Sequence, residues 1–374
     1  MKKIIYLSII FFLFSCNSDK KESIQTIETV QPSIKYAKGF TIDKFDGYKL
    51  LTLSNVWKDE ESTFKYVLYN NEKPGTIEDA IYIKIPIKSI ACMSLTHIAF
   101  LERLGLENSI VALSGCDYVT SSKIIKLIAL KKIKEIGVQQ NTNYEMLVDE
   151  SPSFVMGYGI DASSNNYINK LKTLGLDVVL NAEYMETSPL GKAEWIKFIA
   201  AFYNKEKLAD SIFNNIEKEY LSLLEITNKI KEKPTVFAGM PWNGAWYIPG
   251  AKSFQAKLFK DAGAKYLWLD NDEQASLVKA KEVIIDEAFE ADYWLNQNSY
   301  KSEKDIIAFD GKFKGFNAVK KHKLYNNDKR INQSSGNDYW ESGVVSPHVI
   351  LKDLIEIFHP QLVEHELYYY RNLK

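Results

Sequence analysis

One pattern occurs twice in the chain. Glu145-Met146-Leu147-Val148-Asp149-Glu150-Ser151 runs into the apolar Phe154-Val155-Met156-Gly157-Tyr158, and Glu282-Val283-Ile284-Ile285-Asp286-Glu287-Ala288 runs into Ala291-Asp292-Tyr293-Trp294-Leu295. Each reads as a short helical turn headed by an acid and feeding a buried strand. One α/β unit used twice predicts two similar lobes. Two lobes with a gap between them suit the capture of a guest better than they suit a single compact enzyme.

The pattern around each copy is strand, loop, helix. Ile87 to Ala91 is a buried strand, Ser94 starts a helix that Gly105 ends, and Ile110 to Leu113 is the next strand. Lys123 to Lys134 reads as helix, Phe154 to Met156 as strand, Tyr167 to Leu174 as helix up to Gly175, and Asp177 to Leu180 as strand. After residue 233 the plan returns. Thr235 to Ala238 is a strand, Trp242 to Pro249 a loop, Ser253 to Ala262 a helix ending at Gly263, then Tyr266-Leu267-Trp268, an acidic-headed helix and Tyr293-Trp294-Leu295. Alternation of this kind predicts parallel sheets flanked by helices.

Between the halves, Leu208, Ile212, Ile216, Tyr220 and Leu223 recur at helical spacing. They predict a helix over roughly Lys205 to Lys231, on the order of 35–40 Å long, that joins the lobes until Pro234 stops it. Residues 35–85 are instead strand-rich, with Lys49-Leu50-Leu51-Thr52-Leu53, Phe64 to Tyr69 and Tyr82 to Pro86 as candidate strands. The expected organisation is a leader over 1–15, a tether over 16–34, a first lobe over 35–200 with its β-rich extension at 35–85, the interlobe helix over 201–232 and a second lobe over 233–374.

The N-terminus reads as an address. Lys2 and Lys3 precede an apolar run from Ile4 to Phe14, too short to span a bilayer. Leu13-Phe14-Ser15-Cys16 has the form of a lipobox, so Cys16 is the expected lipidation site. Polar residues from Asn17 onward then form a flexible tether. The mature chain is expected to be anchored to a membrane and not inserted in it. Cys92 and Cys116 remain, each at the end of a short apolar run. Pairing in an oxidising envelope and two buried thiols are both open readings.

The formal net charge is −1, which argues against nucleic acid as a partner. The arginines are Arg103, Arg330 and Arg371, so bidentate clamps on carboxylates or phosphates are scarce. The five histidines do not fall in a zinc-type HExxH spacing, and there is no nucleophile elbow G-x-S-x-G. Gly157-Tyr158-Gly159 lacks the third glycine of a dinucleotide fingerprint. No catalytic residue and no permanent cofactor is expected.

In order and content these blocks resemble the class III periplasmic binding proteins, the substrate-binding lipoproteins of ABC importers for iron–siderophore, haem and cobalamin. The likeness runs from Ser89-Ile90-Ala91-Cys92-Met93-Ser94-Leu95-Thr96-His97 through the two acidic-headed helices. It continues to Asn337-Asp338-Tyr339-Trp340-Glu341 and His359-Pro360. Ser153 stands where the family has Asp, and His97 where many members have Glu. Residues 35–85 resemble an extension of Bacteroidetes members. The resemblance implies two Rossmann-like lobes joined by a long rigid helix, with a ligand cleft between them. It also implies one surface glutamate per lobe that pairs with arginines of the permease, and Glu145 and Glu282 take that part here. It further implies a monomer in the periplasm that delivers a metal chelate, corrinoid or haem.

Loops after strand C-termini line the clefts of open parallel sheets. That rule nominates Ser94, Thr96, Tyr118, Tyr158, Trp242, Trp246, Tyr247, Tyr339 and Trp340. The flat aromatic side chains would lie against a macrocycle or catecholate. Arg330 is a candidate for an anionic group. His97 is a candidate metal ligand, weighed against a histidine that simply bonds nearby backbone. Three rivals stand beside this reading. They are a surface lipoprotein feeding an outer-membrane transporter, a lipid-anchored enzyme, and a free-metal binder, which would need several converging His or carboxylate ligands.

Overall fold

The computed structural model describes residues 34–57, 62–138, 141–159 and 164–374. The leader, Cys16 and all but the last residue of the expected tether lie outside the described residues.

The chain opens with a four-stranded sheet of β1 (Phe40–Phe45), β2 (Tyr48–Ser54), β3 (Thr63–Tyr69) and β4 (Ala80–Lys84), in that order across the sheet. Inward residues such as Phe40, Leu51, Leu53 and Tyr66 are buried. Phe40 packs edge-on against Trp195, with ring centres 4.8 Å apart. The Tyr66 hydroxyl accepts the Leu180 N–H at 3.0 Å. The extension thus rests on the first lobe, and its strands bury one face there.

The first lobe follows as β5 (Ile90–Cys92), α1 (Leu95–Arg103), β6 (Ile110–Leu113), α2 (Ser122–Ala129), β7 (Lys134–Glu135), α3 (Tyr144–Glu150), β8 (Val155–Gly157), α4 (Ser164–Thr173), β9 (Val178–Leu180) and α5 (Pro189–Ala201). Its five strands are parallel in the order β7-β6-β5-β8-β9. Ser94 caps α1 by accepting the Thr96 N–H, and Gly105, at φ +68°, takes the chain away. The expected helix over Lys123 to Lys134 is shorter in the structure. Lys131 adopts φ +57°, which ends α2 and frees Lys134 to pair with Ala112 as an edge strand.

The helix α6 (Glu206–Thr227) has 22 residues and a length of about 33 Å. Its first half meets the N-terminal segment, where Phe213 packs on Tyr36 at 6.0 Å. Its second half meets the second lobe, where the Tyr220 hydroxyl donates to Asp261 at 2.7 Å and the Thr227 hydroxyl to the Asp261 carbonyl at 2.7 Å. A single chain crossing is thereby packed against both lobes.

The second lobe contains β10 (Thr235–Ala238), β11 (Pro241–Trp242), β12 (Ala245–Pro249), α7 (Phe254–Asp261), β13 (Lys265–Tyr266), β14 (Ser276–Ala280), α8 (Lys281–Glu287), β15 (Tyr293–Leu295), α9 (Glu303–Phe309), α10 (Asn317–Lys320), β16 (Leu324–Asn326), α11 (Asp338–Glu341), α12 (Pro347–Phe358) and β17 (Arg371–Asn372). Its main sheet runs β13-β10-β15-β16-β17, parallel except for β17. The first lobe's β6-β5-β8-β9 and the second lobe's β13-β10-β15-β16 have the same topology. In each, an acidic-headed helix, α3 or α8, delivers the third strand. The repeat seen in the sequence is a repeat of topology.

The stretch expected as a loop over Trp242 to Pro249 is a hairpin. Asn243 and Gly244 both have positive φ, +50° and +80°, the backbone of the tight turns that match strand twist. With β14 it forms a second, three-stranded sheet. A further departure is α12, which packs alongside α6 and touches both α5 and α7, so two helices brace the lobes. The C-terminus returns to the body through Asp353. This fully buried carboxylate accepts the backbone N–H groups of Tyr368, Tyr369 and Tyr370 at 2.8, 2.7 and 3.0 Å, and His365 at 2.6 Å.

Removing that acceptor strands buried donors. Asp353→Ala should lower the unfolding free energy by about 3–5 kcal/mol, whereas His365→Ala, which leaves the backbone bonds in place, should cost far less. Urea denaturation of the three proteins checks this, and an unchanged midpoint for Asp353→Ala would contradict the account.

Candidate ligand-binding site

Parallel strands deliver their following loops to one edge, and the first lobe uses three of its segments there. β5 leads through Met93 to Ser94-Leu95-Thr96 at the start of α1. β9 leads to Glu183-Tyr184, and α5 adds Lys192. Opposite stand Phe254, in the first turn of α7, and Tyr339 and Trp340 of α11, followed by Gly343 and Val344. Together they enclose a cavity of ≈ 420 Å³, within the roughly 300–1,000 Å³ of small-molecule sites.

The walls differ in chemistry. Trp340 is 59% exposed and meets Tyr339 edge-on, 4.7 Å between ring centres, so one aromatic is fixed while the other presents surface. Ser94 and Thr96 hydroxyls lie 2.9 Å apart. The Lys192 ammonium sits 4.8 Å from the centre of the Phe254 ring, a cation–π contact across the two lobes. Burial pushes the Glu183 carboxyl above the usual carboxylate range, opposed by the Thr96 hydroxyl and the Lys192 charge. Burial pulls the Lys192 ammonium down, opposed by Glu183 and Glu186.

The late loop is fixed in place by bonds between the lobes. Glu341 accepts the Thr120 and Ser121 N–H groups at 2.7 and 3.0 Å, at the open N-terminus of α2. Asn332 donates to the Asp117 and Val119 carbonyls, both at 2.9 Å. Gly336 lies so near Tyr118 that an added Cβ would fall 1.9 Å from its carbonyl oxygen. Only glycine fits that approach.

Of the expected ligand contacts, the structure gathers Ser94, Thr96, Tyr339 and Trp340 around the cavity. Tyr118 is exposed beside the late loop, and Tyr158 is half-buried with its ring 6.5 Å from His97. Neither lines the cavity. Trp242 and Tyr247 are exposed on the outer face of the hairpin sheet.

Trp246 is a correction. It is fully buried, packed among the tilted or edge-on rings of Phe237, Trp294 and Phe313, with its indole N–H donating to the Ala238 carbonyl. Strand alternation in β12 turns it inward while Tyr247 turns out. Arg330 is a second correction. It does not line the cavity: its Nε is bonded to Asp338 at 2.6 Å and its guanidinium lies over the Tyr368 ring, so its charge holds the late loop.

His97 is fully buried, and burial pushes it down to about 3, neutral. No cluster of three or more metal-ligating side chains exists among the described residues. Cys92 and Cys116 are both free and buried. Burial raises the Cys92 thiol far above its ordinary range and pushes Cys116 up to about 12. Glu145 and Glu282 are exposed in the first turns of α3 and α8.

Sequence reasoning missed Glu183, Tyr184, Lys192 and Phe254. No sequence rule marked them: Lys192 is the one residue of α5 that is not fully buried, and only the packing of its neighbours shows that its charge faces the cavity.

The periplasmic binding protein family matches residues 90–331. The chain belongs to that family. It is similar to an uncharacterized lipoprotein of Methanocaldococcus jannaschii, 27% identical over 96% of this chain and 94% of that one. Among solved structures it resembles a possible iron-binding, periplasmic solute-binding protein of Staphylococcus epidermidis. That match has a TM-score of 0.57 and 20% identity, and covers 73% of this chain and 98% of that one. It also resembles a periplasmic heme binding protein of Pseudomonas aeruginosa, with a TM-score of 0.59 and 12% identity, covering 77% and 98%. At such identities the likeness is one of fold, and the fold is the class III periplasmic binding protein fold, two α/β lobes joined by a long helix. The family is one of binding proteins, not enzymes.

The two tryptophans should separate cleanly in this binding protein. Trp246→Ala empties a core position and should cost about 3–5 kcal/mol. Trp340→Ala should change stability by less than about 1 kcal/mol. Chemical denaturation reads both, and similar losses would refute the placement.

Proposed function

We propose that this chain is the substrate-binding lipoprotein of an ABC importer. It captures a metal chelate of the iron–siderophore type, or haem or a corrinoid, between its lobes and hands it to the permease. The observation that carries the reading is the cavity between Ser94–Thr96 of one lobe and Phe254 of the other, walled by Tyr339 and Trp340. Membership of the periplasmic binding protein family supports it, as do solved neighbours whose own descriptions name iron and haem.

The lipobox at Cys16 supports a lipid anchor, and lipoprotein relatives agree with it. Among the described residues no helix is long and apolar enough to cross a membrane. The location that follows is the periplasm, held to a membrane by lipid. The proposed boundaries are a first lobe over 35–200 with its extension at 35–85, the joining helix over 201–232 and a second lobe over 233–374.

Glu145 and Glu282 form the docking pair. Each is exposed at the head of the helix that delivers the third strand of its lobe. Separated negative charges at equivalent places give register and association rate on a two-fold partner with basic sockets. The chemistry of capture needs no reaction step. The guest buries aromatic surface on Trp340, and hydroxyls and charges below it fix orientation.

Titration of the purified protein with ferric siderophores, haemin and cobalamin, read by absorbance and tryptophan fluorescence, tests the reading. At least one is expected to bind, and Trp340→Ala should weaken it about tenfold, or 1.4 kcal/mol. Binding by none of the three classes would reject it. Reversal of both docking charges, Glu145→Lys with Glu282→Lys, should abolish uptake by cells and leave ligand affinity unchanged. A parallel loss of affinity would remove the docking role.

A further inference from the structure

Three carboxylates stand close together around the start of α5: Glu183, Glu186 and Glu194. Two are fully occupied. Glu186 accepts the Lys38 and Gly39 N–H groups at 2.8 and 2.9 Å and the Trp195 indole at 3.1 Å. Glu194 accepts the N–H groups of Lys35, Tyr36 and Ala37 and the Lys197 ammonium at 2.9 Å. The third is occupied only in part. Glu183 is 4% exposed and lines the cavity; the Thr96 hydroxyl and the N–H groups of Glu183 and Tyr184 serve its carboxyl, but its Oε2 has no hydrogen-bond partner among the described residues.

A buried acceptor without a donor is costly. The nearby cation makes no bond to that oxygen: the Lys192 ammonium rests over the Phe254 ring, 4.8 Å from its centre, with Glu186 as well as Glu183 near it. Arg330 is bound to Asp338. Lys192 is thus the one cation of the described lining.

We propose that Glu183 sets the specificity of the cleft: its free Oε2 takes an N–H or O–H donor carried by the guest, so neutral and cationic guests are admitted and polyanionic ones refused. This rests on the reading of the cavity as the ligand site and narrows its substrate class. A chelate that keeps its metal charge balanced and turns amide or ammonium donors outward fits. A chelate whose surface is a shell of charged oxygens meets a buried carboxyl with no spare cation.

The test uses the full chain and two matched series. The first is benzylammonium against benzoate, alike in size and ring and opposite in charge. The second is a ferric trihydroxamate with a free ammonium tail against a ferric tricatecholate. Calorimetry and Trp340 fluorescence read affinity for the wild type and for Glu183→Gln, with Glu183→Asp as a second variant should the first fold poorly. The cation of each series is expected to bind at least about tenfold tighter, and Glu183→Gln should erase most of that ratio. A preference in the benzyl series with no chelate bound keeps the donor site and rejects the chelate reading. Equal binding of cation and anion by the wild type, or a ratio that Glu183→Gln leaves unchanged, overturns the proposal. Failure of every probe to bind overturns both.

Discussion

The cavity between the lobes depends on one bond set: Glu341 against the two residues that lead into α2. The N–H of a helix's capping residue has no partner inside the helix, and here that of Ser121, with that of Thr120 before it, finds one on the other half of the molecule. The chain neighbours of Glu341 are Trp340 and Tyr339, the aromatic wall. Asp338, one residue further back, receives both the Thr120 hydroxyl and Arg330. The wall is therefore positioned by charge-assisted bonds to both lobes, while Trp340 itself stays open to solvent. The wall thus combines a rigid backing with an uncommitted face.

The same economy explains the braces. A single helix between lobes would leave them free to swing about its ends. α6 is held at one end by Tyr36 and at the other by Asp261, and α12 packs alongside it and touches helices of both lobes. Large relative motion would break buried contacts on two helices and the Glu341 cap together.

The parts of the fold that follow from local chemistry were legible. Glycines at 105, 175 and 263 all adopt positive φ and end helices where expected. Continuous apolar runs such as Ile110–Leu113 and Tyr293–Leu295 became strands with those bounds, and the acidic-headed repeat proved to be repeated topology. What failed depended on partners distant in sequence. The short β7 exists only because Ala112 and Leu113 lie beside it. The Asn243-Gly244 turn carried a hairpin signal, but its aromatic flanks read as a loop until β14 supplied a third strand. Trp246 and Tyr247 are neighbours with opposite fates, and only the facing strand decides which one enters the core. Ser94, Thr96, Tyr339 and Trp340 were expected from a strand-end rule, and all four line the cavity. Glu183 and Lys192 have no rule of their own, and their role emerges only when their surroundings are counted.

That count also gives the N-terminal extension a purpose. Glu194 and Glu186 are buried charges on and beside a largely apolar helix, and such charges persist only where donors satisfy them. Residues 35–39 supply those donors through backbone N–H groups, and the sheet behind them holds that strip against Trp195 and Phe198. Removing the extension would take five backbone donors from these two carboxylates and leave Glu186 with the Trp195 indole and Glu194 with Lys197. The extension is therefore part of the cavity's foundation: its backbone donors satisfy Glu186 and Glu194, while Lys192 of α5 and Glu183 ahead of it face the cavity.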